Sequence, residues 1–144
     1  MVVRIVRGPD NQDLPLPSYA TPGSAGADLR SNVNTHIPPG STVSVGTGLH
    51  IELWKGFEGQ IRSRSGMAAN GVVVANSPGT IDSDYRGEVK VLLHNNGHNN
   101  VTISRGDRIA QIVFAKCEQA YLHEAKTLSA TSRGDGGFGS TGTK

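Results

Sequence analysis

Cys117 is the only cysteine in a chain of 144 residues, so the protein has no intramolecular disulfide framework. The apolar Ile112, Val113 and Phe114 just before it predict a small core or interface residue. Charge of one sign is lacking too. The balance of 14 basic against 12 acidic residues leaves +2, which gives no reason to invoke nucleic acid or an anionic membrane as a partner. No apolar run approaches the length of a membrane span, and Met1 to Val6 is too short and too charged for a signal peptide. A soluble, cytoplasmic protein is the expectation. The 5 histidines show no metal-ligand spacing, which argues against zinc. Amphipathic helices are missing as well, since no stretch keeps an i, i+3, i+4 apolar face beyond about ten residues.

What is present is glycine, 19 of 144 residues, roughly twice the ~7% of ordinary domains. It falls at the edges of short alternating apolar runs, a pattern that predicts an all-β sandwich or barrel. The length fits a single domain with a real core. Val2 to Val6 reads as a first strand. Asp10 to Gly23 is broken by Pro15, Pro17 and Pro22 and reads as a surface connection. Thr42 to Val45 and Leu49 to Leu53 read as a strand pair, and Phe57 to Arg62 as a further strand. Val72 to Ala75 is a strand whose turn through Asn76, Ser77 and Pro78 predicts a hairpin leading to Asp82. Asn95 to Asn100 reads as a solvated polar loop.

Chemistry concentrates in glycine-punctuated polar stretches. Gly79 to Gly87 packs Asp82, Asp84, Tyr85 and Arg86 between two glycines, ahead of the alternating Val89, Val91 and Leu93. A bend feeding a strand fixes a side chain such as Asp82 better than a free loop does, although an ordinary acidic turn would have the same composition. Asp28, within Ala25 to Arg30, reads equally as an exposed strand acid or a metal-facing carboxylate. Ser65 has the character of an N-cap for one helical turn ending at Asn70 and Gly71. Beside Arg62 and Arg64, the free amides of that turn make a phosphate site. Asn76 suits the edge of a nucleobase or simply a turn. Gln111, in an apolar strand starting near Arg108, predicts a buried polar group that needs a partner. From Ser129 onward the chain is too rich in glycine to fold alone. Arg133 and Phe138 in that tail suit a lid ordering on a phosphorylated aromatic ligand.

Five stretches in order, Ala25–Leu29, Arg64–Gly66, Gly79–Gly87, Arg105–Gln111 and Arg133–Gly142, resemble the motifs of the trimeric dUTP pyrophosphatase (dUTPase) family. They span nearly the whole chain, and their order and spacing are specific. The resemblance implies a β-clip or jelly-roll-like homotrimer with active sites at subunit interfaces. Residues 1–131 would form the barrel domain and residues 132–144 a flexible arm closing over the site. The implied reaction converts dUTP to dUMP and pyrophosphate, keeping uracil out of DNA and supplying dUMP for thymidylate synthesis. Mg²⁺ is the implied cofactor, held mainly by the triphosphate, with Asp28 reaching it through water.

The resemblance also implies residue roles. Asp82 would activate water and touch the deoxyribose hydroxyl. Arg64, Ser65 and Gly66 would bind phosphates of a neighbouring chain's substrate, and Gln111 would reach the phosphates as well. Asn76, Thr80 and Ile81 would read uracil, Tyr85 would pack under the sugar, and Lys90 would contact ligand from its strand. Arg133 would bind the terminal phosphate and Phe138 would cover the uracil, while Gly139, Ser140 and Thr141 close the arm. One departure stands out. Ser63 occupies a place where the family usually has proline, which questions the stiffness of the phosphate loop.

Two alternatives compete. A dCTP deaminase shares the resemblance in fold, but its catalytic glutamate falls at Leu92 here. A non-enzymatic binding module would keep the fold and lose the chemistry, and the complete motifs argue against that loss.

Overall fold

Alternation decides which side of each strand is buried. From Glu88 to Asn95, the residues Val89, Val91, Leu93 and Asn95 point inwards, while those between them face out or lie at the margin. In the computed structural model, which describes residues 1–140, such runs form β1 (Arg4–Arg7), β2 (Ala27–Arg30), β3 (Thr35–Ile37), β4 (Thr42–Glu52) and β5 (Phe57–Arg62). They continue as β6 (Val72–Val74), β7 (Gly79–Ile81), β8 (Glu88–Asn95), β9 (Val101–Ile103) and β10 (Arg108–Lys116). Among the described residues one α-helix, α1 (Ser65–Ala69), interrupts them. Thr141, assigned above to the closing arm, lies outside the described residues.

The strands pair antiparallel into one sheet ordered β1-β4-β8-β6, a second ordered β2-β10-β5-β7, and a two-stranded ribbon of β3 with β9. One core lies between them, with Leu29, Ile37, Val45, Val91, Leu93 and Ile112 each at most 2% exposed. Burying a side chain of this size stabilises the fold by about 1.5–3 kcal/mol. The all-β expectation holds. No helix among the described residues is long and apolar enough to cross a membrane.

Several local expectations fail for physical reasons. Thr42 to Glu52 is one strand and not a pair, because Gly46 to Gly48 forms a bulge in its ladder with β8 instead of a turn. Gly48 takes φ +64°, the Thr47 hydroxyl donates to Val89 O at 2.6 Å, and the chain continues in the same sheet. The first strand begins at Arg4, not Val2. β6 and β7 do not form a hairpin with each other: β6 pairs with β8 and β7 with β5, so Ala75 to Pro78 carries the chain between sheets. Asn95 is fully buried, not solvated. Its amide donates to Ile37 O and Asn99 O, both at 2.8 Å, and ties the polar loop down. Cys117 is exposed just beyond the last strand, which removes the core reading.

Candidate active site

β7 ends at Ile81, and the chain bends through Asp82 to Gly87 before entering β8. The Tyr85 amide donates to Asp82 O at 3.2 Å, and the Tyr85 phenol donates to Glu88 O at 3.0 Å. The ring therefore folds back over Gly87, where an added Cβ would collide with it. Gly87 is required for space rather than for a special φ. Gly79 plays a similar part, since a Cβ there would press on the Asn76 amide at 3.2 Å.

These residues enclose a cleft of about 350 Å³ lined by Asn76, Thr80, Ile81, Asp82, Tyr85 and Lys90. Six positions singled out in the sequence thus meet in one concavity, across two sheets. Leu92 lines the same cleft with an apolar side chain. Glu88 is a cleft residue that the sequence reading missed. It accepts the Gly48 amide at 2.9 Å and lies 3.6 Å from the Lys90 ammonium. Its only signal was a charge opening a strand whose alternate positions are apolar.

A second cluster forms where β2, β10 and β5 run side by side, with Gln111 in register with Asp28 on one side and Arg62 on the other. Gln111 is half-buried and has the partner it requires, since its Nε2 donates to Ser63 O at 3.1 Å. A Cβ at Gly26 would collide with this amide, which accounts for the glycine. Asp28 is neither a free surface acid nor an open metal ligand. Its carboxylate, with 18% of the side chain exposed, takes Arg64 Nε at 2.9 Å and Arg108 at 3.1 Å. Arg108 is the second missed residue. Sequence order gives no hint that it pairs with Asp28, because the pairing comes from the β2–β10 register.

Arg64, not Ser65, is the N-cap of α1, with φ −86° and ψ 135°, and Ser65 is the first helical residue. The serine does not cap because it already lies inside the helix, and the Arg64 side chain makes no capping bond either. The first amides of the turn at Ser65 and Gly66 have no acceptor within the helix. The C-terminal signal holds, with Asn70 at the cap and Gly71 at φ +85°. Ser63, in place of the family's usual proline, has its own tie: its Oγ accepts the Val74 amide at 2.8 Å. Proline could not make that bond.

A cavity of about 420 Å³ opens beside Arg64, Gly66 and Arg108, and it shares no lining residue with the nucleoside-sized cleft. Among the described residues no group of three His, Cys, Asp or Glu could hold a metal ion. Asp28, already paired with two guanidiniums, does not fit a protein-built metal cage.

From Cys117 to Ser140 the chain forms neither strand nor helix. Arg133 donates to Gly136 O at 2.8 Å, and the Ser140 amide to Gly137 O at 3.0 Å, so these bonds stay within the arm. Phe138 is fully exposed, and Gly139 follows at φ +90°. The described arm residues are not brought to either cluster of their own chain. Arg105, first residue of the fourth motif, serves structure: it pairs with Asp13 at 2.6 Å and reaches Asp10 O at 2.9 Å. That pair pins the proline-rich connection to the barrel.

An all-β fold with a cleft at Asp82, just past the end of β7, and a corner where Arg64 and Arg108 meet Asp28 is the frame on which the likeness to known proteins bears. The dUTPase family model matches residues 12–142, and the chain belongs to the dUTPase family. A protein of Anaplasma marginale named deoxyuridine 5'-triphosphate nucleotidohydrolase is 56% identical, with 98% of each chain covered. One of the same name from Mesorhizobium japonicum is 53% identical over 98% of this chain and 91% of its own length. The solved dUTPase of Staphylococcus bacteriophage 80alpha with dUPNHPP has a TM-score of 0.89 at 21% identity, covering 98% of each chain. That last likeness concerns the fold.

Proposed function

We propose that this chain hydrolyses dUTP to dUMP and pyrophosphate, through attack of water on the α-phosphorus, as a cytoplasmic homotrimer. The observation that carries the reading is the 350 Å³ cleft, which gathers Asn76, Thr80, Ile81, Asp82 and Tyr85 in a chain 56% identical to a named dUTP nucleotidohydrolase. Asn76 and the β7 backbone at Thr80 and Ile81 offer donors and acceptors to a uracil edge. A ring lacking matching groups, such as cytosine, would leave them unpaired, which is the stronger kind of discrimination. The Tyr85 ring, fixed over Gly87, supports a deoxyribose and leaves no room for a 2′-hydroxyl. Asp82 orients the attacking water and accepts its proton, a contribution of about 10²–10⁴-fold. Lys90 stands at the same cleft and adds a positive charge.

Phosphoryl transfer rests on positioning and charge neutralisation. Arg64, the amides of Ser65 and Gly66, and Gln111 supply these for the triphosphate. Asp28 is the residue that would hold a bound Mg²⁺, through a water, and the ion would supply further neutralisation of the triphosphate charge. The separation of the phosphate corner from the nucleoside cleft within one chain supports sites shared between copies. The barrel domain, residues 1–131, then builds the site, and the arm from 132 closes it. Arg133 meets the terminal phosphate and Phe138 covers the uracil, with Gly139, Ser140 and Thr141 alongside. Leu92, apolar inside the cleft, does no acid–base work, which leaves no deaminase chemistry. The product dUMP would serve thymidylate synthesis, and removal of dUTP keeps uracil out of DNA.

Pyrophosphate release from dUTP, dTTP, dCTP and UTP, each with and without Mg²⁺, tests the reading. Release from dUTP alone, lost without the ion, is expected. Equal release from UTP or dCTP would overturn it.

A further inference from the structure

The bend that carries Asp82 and Tyr85 is gripped by a strand of the other sheet. His50 on β4 lies opposite Glu88, and its Nδ1 bonds Arg86 O at 2.9 Å. A carbonyl can only accept, so Nδ1 carries the proton and donates. Arg86 in turn folds its guanidinium back onto the bend, donating to Ser83 O at 2.7 Å and Tyr85 O at 2.9 Å. Glu52, two residues along β4, lies 3.5 Å from the same guanidinium. That ion pair is largely exposed and adds little. The weight falls on the three hydrogen bonds to backbone carbonyls. They hold Ser83, Tyr85 and Arg86, the residues around the ring that packs on Gly87.

We propose that His50 and Arg86 are positioning residues that brace the Asp82–Gly87 bend, and that this brace sets how strictly Tyr85 excludes a ribose 2′-hydroxyl. Neither side chain lines the nucleoside cleft. Their effect passes through the backbone of the bend. Steric exclusion is sensitive to small displacements because repulsion rises steeply at contact, whereas Asn76 lines the cleft from the segment before β7, outside the braced bend. Loosening the brace therefore weakens discrimination at the sugar and leaves discrimination at the base. The proposal rests on the dUTP-hydrolysing reading above.

Three proteins test it: the unaltered chain, His50→Leu, which removes the donor, and His50→Asn, whose side-chain amide nitrogen falls where Nδ1 stands. The kcat/KM ratio of dUTP over UTP should fall about tenfold in His50→Leu and recover in His50→Asn. The ratio of dUTP over dCTP and the melting temperature should hardly move, which a general loss of stability would not reproduce. An unchanged dUTP/UTP ratio in a folded His50→Leu protein overturns the proposal, as does a fall in both ratios together. Should His50→Leu not fold, long-range ¹⁵N NMR of the unaltered chain decides the geometry. The Nδ1–H tautomer of His50 supports the brace, and an Nε2–H tautomer removes it. If the unaltered chain hydrolyses no dUTP, the functional reading has failed, and the tautomer still judges the brace separately.

Discussion

Asp82 leaves the end of β7 with an exposed carboxylate, and Tyr85 closes the same bend through its amide and its phenol. A short, closed bend of this kind holds both side chains toward one cleft. Asp82→Asn keeps the shape and loses the base, so kcat for dUTP should fall by about 10²–10⁴-fold. Calorimetry with dUpNHpp should still detect binding close to that of the unaltered chain. Tyr85→Ala removes the ring from beneath the sugar. The kcat/KM for UTP should then rise relative to dUTP, and an unmoved ratio would place sugar discrimination elsewhere.

Two elements are tied by single side chains whose loss is measurable. Ser63 receives the half-hidden amide of Val74 and accepts Gln111 at its own carbonyl, joining the segment before α1 to β6 and β10. Ser63→Ala leaves that amide without its partner, at a cost of about 1–3 kcal/mol. Chemical denaturation should show the loss as a lower midpoint with an unchanged slope. At the opposite end, Arg105 pins the proline-rich connection through Asp13. The hydrogen bond from Arg105 holds the Asp13 carboxyl below its ordinary pKa, with the guanidinium charge in support. A depressed folded pKa stabilises above the unfolded value and loses that contribution as pH falls through the folded one. The melting temperature of the unaltered chain should therefore exceed that of Asp13→Asn near neutral pH. The difference should vanish in acid below the usual carboxylate range.

At the scale of the whole molecule, the last strand ends at Lys116, and no strand or helix follows it among the described residues. The arm carries Gly134, Gly136, Gly137, Gly139 and Gly142, and ordering each residue costs about 1–2 kcal/mol of backbone entropy. On the proposed function, ligand contacts at Arg133 and Phe138 would offset that cost. Truncation before Ser132 should leave the melting temperature within a few degrees of the full chain. Turnover of dUTP should nevertheless collapse, because charge on the terminal phosphate and exclusion of water are both lost. Mixing Asp82→Asn with the truncated chain, under conditions where subunits exchange, should restore activity through hybrid sites. No recovery, with exchange shown by mass spectrometry, means that each arm closes over its own chain.

How much of this was legible beforehand divides by range. Sequence alone determined the all-β class and the family motifs, because alternation and punctuation are local properties of the chain. It also located Asp82 ahead of a strand. It could not tell that Thr42 to Glu52 is one bulged strand, since a Gly-Thr-Gly run has the same composition as a turn. The join is made by Thr47 reaching Val89, a contact 42 residues distant. The partition of β6 and β7 into different sheets, the pairing of Asp28 with Arg64 and Arg108, and the grip of His50 on the bend were likewise decided only by tertiary structure. Each depends on strand register, and register comes from packing two sheets on one core, which no window of sequence contains.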